Sequence, residues 1–135
     1  MPTVDWDELR LSAIEAMHRA YAPYSKFKVG VAGLVSDGRI VAGCNVENAA
    51  YGVTLCAECG LISQLHLTGG GTLVAVACVD SGGSPLMPCG RCRQLLWENG
   101  GARCLVMTAR GPISMAEILP DAFDASDIEH IVRHD

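Results

Sequence analysis

The stretch from Thr72 to Trp97 reads TLVAVACVDSGGSPLMPCGRCRQLLW. Its first eight residues are almost continuously apolar, which predicts a strand that is covered on both faces, as in α/β layers. A loop follows from Asp80 to Pro88. The segment that begins at Cys89 then has a helical pattern, opened by the proline before it. A buried strand, a loop and a helix in this order predict a layered α/β domain.

The chain before this stretch supplies a helix and a hairpin. Apolar residues recur at intervals of three and four over residues 6–20, which predicts an amphipathic helix with Asp5 as N-cap and Glu8 completing a capping box. The β-prone runs Phe27–Ser36 and Arg39–Val46 flank Asp37-Gly38. This dipeptide favours a tight type I′ turn, so the two runs are expected to pair antiparallel.

The remaining elements complete the predicted sheet. Residues 54–67 have a helical pattern with Thr54 as N-cap, and Gly69 to Gly71 stop it. Asn99-Gly100-Gly101 should end the helix that begins at Cys89. Residues 104–108 are then expected to form a short strand, and residues 113–119 a short strand and a short helix. The pattern of residues 123–132 is ambiguous. Residues 1–135 are therefore expected to form a single three-layer α/β/α domain, with a mixed sheet of about five strands flanked by helices.

Composition restricts the class of partner. The 135 residues carry a net charge of -5 without blocks of one sign, which does not suit a nucleic-acid binder or a membrane anchor. No apolar run approaches the roughly 20 residues that span a bilayer. A cytoplasmic protein with a small-molecule partner is expected. Half the residues are apolar, which hints at surface covered by another subunit.

Seven cysteines in a reducing compartment suggest metal ligands or core residues rather than disulfides. Cys56, Cys89 and Cys92 stand at the starts of two predicted helices, where backbone N–H groups favour the thiolate that zinc needs. Three protein ligands leave a fourth position open for water, as in a catalytic zinc site. Glu58 could then move a proton, which points to hydrolysis. The remaining cysteines within strand patterns are read as small buried core residues: Cys44, Cys78 and Cys104.

Cys56-Ala57-Glu58 with Pro88-Cys89-x-x-Cys92 resembles the signature of zinc nucleoside and nucleobase deaminases, in which His or Cys is the first ligand. Further motifs extend this resemblance to the small homotetrameric cytidine deaminases over nearly the whole chain. They are Ala22-Pro23-Tyr24-Ser25-x-Phe27-x-Val29-Gly30, Gly43-Cys44-Asn45-Val46-Glu47-Asn48-Ala49 and Leu119-Pro120-x-x-Phe123.

The resemblance implies roles for individual residues. Asn45 and Glu47 would hydrogen-bond the ribose hydroxyls, Phe27 would stack on the pyrimidine, and Ala57 would also contact the substrate. It further implies a homotetramer with composite sites. The residues reaching the site from neighbouring subunits would be Tyr51 and Phe123.

The implied reaction converts cytidine and deoxycytidine to uridine and deoxyuridine plus ammonia, as in pyrimidine salvage. One Zn²⁺ per chain would provide a bound hydroxide that attacks C4. Glu58 would accept the released proton and deliver it to N3 and then to the departing amine. No organic cofactor is needed.

Two positions depart from the family pattern. Arg often follows the Cys-Ala-Glu triplet, where this chain has Cys59, and a small residue often stands where this chain has Arg91. Because three thiolates leave the zinc cluster negative, we expect the Arg91 guanidinium to compensate it from nearby. The roles of Cys59, and of Tyr24 and Ser25 beside the predicted pocket, stay open.

Two alternatives accompany this prediction. The chain could deaminate another aminopyrimidine, in RNA, DNA, a nucleotide or a nucleoside antibiotic, although ten basic against fifteen acidic residues disfavour polynucleotides. It could also be a non-enzymatic module stapled by zinc on Cys56, Cys59, Cys89 and Cys92, in which Glu58 would have no task.

Overall fold

The computed structural model describes residues 2–134, with the side chains of residues 2–129 and 131. Its elements alternate between helices and strands along the chain. They are α1 Trp6–His18, β1 Gly30–Val35, β2 Ile40–Cys44, a 3-10 turn Tyr51–Val53, α2 Ala57–Leu67, β3 Leu73–Val79, α3 Gly90–Gly100, β4 Leu105–Thr108, β5 Gly111–Ser114, α4 Met115–Ile118 and α5 Ala125–His134.

The five strands form one mixed sheet in the order β2-β1-β3-β4-β5. Only β3 and β4 run parallel; the other neighbours are antiparallel. Alternation along β3 turns Ala75, Ala77 and Val79 toward α1, and Val76 and Cys78 toward the core shared with α2 and α3. The sheet therefore lies between two helical layers, which confirms the predicted α/β/α architecture.

The first strand begins later than predicted, at Gly30 instead of Phe27. α1 crosses the sheet so closely here that a β-carbon on Gly30 would stand 2.0 Å from the carbonyl oxygen of Ala13. Residues 27–29 instead form a loop. The side chain of Asn45 holds this loop by accepting a hydrogen bond from the N–H of Val29 and donating one to the carbonyl of Phe27. The β-prone pattern of Phe27 reflects this attachment to the sheet edge.

The hairpin between β1 and β2 exists, but the predicted type I′ turn is wrong. Only Gly38, with φ +95°, has the left-handed conformation, whereas that turn requires it at Asp37 as well. Gly38 N–H donates to the carbonyl of Val35 at 2.9 Å, and the N–H of Val35 donates to the carbonyl of Arg39 at 2.8 Å. The loop therefore has three residues, and its single glycine matches the left-handed position of such loops.

Both predicted helix boundaries near the cysteines require correction. Cys56, not Thr54, is the N-cap of α2, and Cys89 is the N-cap of α3 rather than its first helical residue. Thr54 accepts a hydrogen bond from the N–H of Asn48 at 3.1 Å instead. The later helix also continues through Gly100, where a β-carbon would lie 2.8 Å from that of Cys104.

The C-terminal part follows the predicted order of a short strand, β5, and a short helix, α4. The ambiguous segment contains α5. Within residues 2–134, no helix combines the length and apolar character needed to cross a membrane.

Candidate active site

The three cysteines of the sequence motif meet where α2 and α3 begin. Cys56 and Cys89 are the N-caps of these helices, and both have extended backbone conformations with ψ 157° and 168°. Cys92 lies in the first turn of α3 and is buried. Because α2 and α3 pack against each other on one face of the sheet, their N-termini present the sulfurs to a shared point.

The Sγ atoms of Cys56, Cys89 and Cys92 all lie within 4.8 Å of one another. Two thiolates bound to one tetrahedral Zn²⁺ at about 2.3 Å are roughly 3.8 Å apart, so three sulfurs this close together can share a single ion. Cys59 is not in the cluster, which is the one group of potential metal ligands found among the described residues. The donor set therefore fits zinc with one position left open, and it does not support the four-thiolate alternative.

The three thiols differ in their affinity for protons. Burial alone would raise the pKa of Cys89, but the N–H groups of Cys92 and Arg91 and the neighbouring sulfurs hold this pKa below its usual value. Burial raises the pKa of Cys56, and burial together with Glu58 raises that of Cys92. Cys89 is thus the readiest thiolate, and a cation that binds all three must displace protons from the other two.

Glu58 is buried beside this cluster. It is the second residue of α2 and is 3% exposed. The positive end of the helix dipole favours a carboxylate at this position. The buried thiol of Cys78 lies 3.6 Å from Oε1 of Glu58. A carboxylate beside three sulfurs that could hold a metal ion is an arrangement that can combine metal binding with proton transfer.

A cavity of about 210 Å³ opens onto the cluster. Five predicted site residues from different parts of the chain line this cavity: Asn45, Cys56, Ala57, Glu58 and Cys89. The other lining residues are not among the predicted site residues: Val29, Thr54, Leu55, Cys78, Leu86, Met87 and Pro88. Most of these lining residues are apolar. An apolar pattern in a sequence predicts that residues are buried, but it does not predict which cavity they line.

Asn45 and Glu47 hold the loop that carries Phe27. Asn45 accepts a hydrogen bond from the N–H of Val29 at 2.9 Å and donates to the carbonyl of Phe27 at 2.8 Å. Glu47 accepts bonds from the N–H groups of Tyr24 and Ser25 and from the Ser25 hydroxyl. The Ser25 hydroxyl lowers the pKa of Glu47. Both predicted sugar ligands therefore shape the pocket wall, which also gives Ser25 a structural role.

A second cavity of about 340 Å³ adjoins the first, with Thr54 in both walls. Glu47 and Tyr51 line it together with Tyr24, Ser25 and Asn48. Phe27, Tyr51 and Phe123 lie outside the walls of the metal cavity and are 52%, 79% and 57% exposed. One chain therefore does not bring these three aromatic residues to the cysteine cluster.

Arg91 is exposed in the first turn of α3, and its Nη2 lies 3.9 Å from the sulfur of Cys59. Its side chain therefore contacts the cysteine next to the cluster.

Of the cysteines predicted to be core residues, Cys78 and Cys104 are buried, whereas Cys44 is only half-buried at the end of the edge strand β2.

Comparison with known proteins places this geometry in context. Residues 5–108 match the family model described as the cytidine and deoxycytidylate deaminase zinc-binding region. The cytidine deaminase of Mycobacterium tuberculosis is 57% identical over 128 residues, covering 95% of this chain and 96% of that protein. Its crystal structure superposes with a TM-score of 0.89, over 90% of this chain and 99% of that one. The crystal structure of the Mycobacterium leprae cytidine deaminase has 59% identity and a TM-score of 0.87, over 88% and 100% of the two chains.

Proposed function

The chain belongs to the zinc-binding cytidine and deoxycytidylate deaminase family, and on that basis we propose that it converts cytidine and deoxycytidine to uridine and deoxyuridine with release of ammonia. One observation carries this proposal: the buried residue Glu58 lines the same cavity as Cys56 and Cys89, two of the three cysteines whose sulfurs form the cluster. A three-ligand metal with a proton carrier beside it suits hydrolysis of an amidine, and a structural zinc site would not need Glu58.

The reaction requires a nucleophile and a proton carrier. Zn²⁺ held by Cys56, Cys89 and Cys92 would supply the Lewis acidity that brings the pKa of water to about 7. Glu58 takes a proton from the attacking water, passes it to N3 of the pyrimidine, and later transfers a proton to the leaving amine. The water oxygen becomes the 4-oxo group of uridine, and its two hydrogens end on N3 and in ammonia.

Substrate contacts are assigned on position and on family resemblance. Asn45 and Ala57 line the metal cavity, and Glu47 lines the cavity next to it. A carboxylate oxygen has more than one lone pair, so Glu47 can hold Ser25 and still accept a bond from a ribose hydroxyl. Phe27 belongs to the loop that Asn45 fixes, from which its ring can cover the pyrimidine.

A homotetramer with composite sites would bring the remaining aromatic residues to the pocket. Tyr51 and Phe123 lie outside the metal cavity of their own chain and are largely exposed. Val53 and Leu55, close to Tyr51, are 62% and 46% exposed, an apolar surface that a second subunit would cover. Light scattering of the purified protein tests this assembly through its molar mass.

Arg91 is proposed to offset the negative charge of the metal cluster. Arg91 lies two residues after Cys89 in the sequence. Its guanidinium contacts Cys59, which lies three residues after Cys56. A cation close to the cluster would lower the cost of keeping three thiolates together, and so maintain the acidity of the metal.

A role in pyrimidine salvage in the cytoplasm follows from the proposed substrates. Seven cysteines without a disulfide among them suit a reducing compartment.

The decisive experiment follows the ultraviolet absorbance of cytidine with the parent protein and the Glu58→Gln variant, with zinc measured in both. Rapid loss of absorbance in the parent, none in the variant and equal zinc are expected. Glu98→Gln, the same change at an exposed position of α3, is the matched control and should retain activity. Zinc without turnover in the parent would contradict the proposal.

A panel of deoxycytidine, cytosine, dCMP and a cytidine-containing oligonucleotide tests the substrate class. We expect turnover of the two nucleosides alone, because the two cavities lack an arginine or lysine to bind a phosphate. Preferred turnover of dCMP or of the oligonucleotide would reassign the substrate.

A further inference from the structure

A second buried cysteine contacts the catalytic carboxylate. Cys78 is the penultimate residue of β3, and the alternation of that strand turns its side chain toward α2 and α3. Its Sγ lies 3.6 Å from Oε1 of Glu58, and the two residues are 2% and 3% exposed. Cys78 also lines the metal cavity. The contact therefore lies within the site and is shielded from water.

The chemistry of the pair makes Cys78 the donor. Burial, and then the charge of Glu58, raise the pKa of the Cys78 thiol well above its usual value, so the sulfur keeps its hydrogen at neutral pH. An ionised carboxylate can only accept. The hydrogen bond therefore runs from the Cys78 S–H to Oε1 of Glu58.

Among the described residues, two thiols are within hydrogen-bonding reach of the Glu58 side chain: Cys78 and Cys92. Cys92 also lies near the carboxylate, which contributes to its raised pKa. A sulfur that binds a metal does so as a thiolate and has no hydrogen to donate. With the metal centre loaded, Cys78 remains as the side chain that can hold the carboxylate.

A carboxylate that moves protons needs a fixed orientation, and it must also be able to alternate between its ionised and its protonated form. A lysine or arginine at this place would hold Glu58 in its ionised form and oppose its return to the acid. A thiol is a weak, neutral donor and avoids this problem. We propose that Cys78 is a positioning residue, whose S–H holds Oε1 of Glu58 and leaves the other oxygen for proton transfer. This inference rests on the proposed function of Glu58.

Cys104 provides the matched comparison. It is also a buried thiol of the same core, 1% exposed, and burial raises its pKa to about 12. The hydrogen-bond partner of its sulfur among the described residues is a backbone carbonyl, that of Leu105, at 3.9 Å. Cys104→Ala therefore reproduces the loss of a buried sulfur from the core without touching Glu58.

The kinetic test compares zinc-loaded Cys78→Ala, Cys78→Ser and Cys104→Ala with the parent. Cys78→Ala should lower kcat about tenfold, as expected for one lost hydrogen bond to a charged group. Its zinc content and KM should change little, since the metal ligands and the sugar contacts are intact. Cys78→Ser should recover most of kcat because its hydroxyl donates to the same oxygen, and Cys104→Ala should keep the parental kcat.

Equal kcat for Cys78→Ala and Cys104→Ala would overturn the inference, as would a serine variant no faster than the alanine variant. A spectroscopic readout is independent of turnover. The infrared S–H stretching band of Cys78, identified by its disappearance in Cys78→Ser, should move to higher frequency in Glu58→Gln, where the acceptor has lost its charge. An unmoved band contradicts the hydrogen bond even if Cys78→Ala fails to fold.

The two proposals fail in different ways. Full turnover by Glu58→Gln would remove the proposed function of Glu58 and this inference with it. Lost turnover in Glu58→Gln with an unmoved S–H band would leave the proposed function standing and overturn the role of Cys78 alone.

Discussion

Gly43 lies directly beneath Ala57: a β-carbon on Gly43 would stand 2.3 Å from the carbonyl oxygen of Ala57. The backbone of Leu61 and Gly60 is nearly as close. The edge strand β2 thus meets the first turns of α2 with no side chain between them. Because Cys56 and Glu58 flank Ala57, this contact sets how deeply the proposed metal ligand and the proposed proton carrier lie in the fold.

Gly43→Ala should destabilise the protein and displace the site. Overpacking against backbone that cannot yield costs about 2–3 kcal/mol, or roughly 5–10 °C in Tm for a chain of this size. Thermal unfolding and zinc content measure the two effects. Gly82→Ala, where the new β-carbon meets only the side chain of Asp80 at 3.4 Å, is the control. Equal melting temperatures for the two variants would refute the close contact.

Removal of the metal should leave a folded but less stable protein. The sheet and both cores form without the three sulfurs, so a chelator is expected to abolish turnover and lower Tm without loss of secondary structure. At a thousandfold excess over Kd, zinc should restore about 4 kcal/mol. Circular dichroism and thermal scans with added Zn²⁺ check this. Cys89→Ser should blunt the response, and an equal zinc response in that variant would count against the ligand set.

Arg91→Ala should release zinc faster. The loss of a neighbouring cation leaves the thiolates less well compensated, and outer contacts of this kind change metal affinity by about tenfold or more. Transfer of zinc to a coloured chelator gives the rate. Arg110→Ala, at an exposed position of the β4–β5 turn, controls for loss of charge. Unchanged zinc release and turnover in Arg91→Ala would show that this arginine has no part in the centre.

Ser25→Ala should raise the pKa of Glu47, because the hydroxyl of Ser25 is the main cause of its lowering. A carboxyl with a depressed pKa stabilises the fold above its unfolded pKa of about 4.3, and this contribution disappears as the pH falls through the folded value. The variant should therefore have a lower Tm at pH 7. An NMR titration of Glu47 tests the shift, with Ser25→Thr expected to behave as the parent. An unchanged titration in Ser25→Ala would disprove the cause.

The order of elements and the clustering of the three cysteines were accessible from the sequence because their signals are local. The capping pattern at Asp5, the glycines after α2 and the spacing of Cys89 and Cys92 each act within one or two turns of chain. The ligand Cys56 was linked to them by its motif with Glu58.

Features that depend on distant packing were not accessible. Thr54 is the better N-cap by intrinsic preference, yet α2 begins after Cys56, where helix and edge strand meet at Gly43. The alternation of β3 predicts that Cys78 is buried but not that it faces Glu58. The exposed positions of Tyr51 and Phe123 likewise carry no local signal, because a second chain would have to supply their surroundings.

The metal ligands lie on helices that the chain forms before and after β3, the central strand of the sheet. A nascent chain cannot present Cys56 together with Cys89 and Cys92 until this strand is seated between its neighbours β1 and β4. Zinc binding by all three sulfurs therefore depends on the packing of the whole sheet. A zinc bound by all three sulfurs thus reports a chain whose central strand is in place, whereas a chain without zinc can be folded and empty.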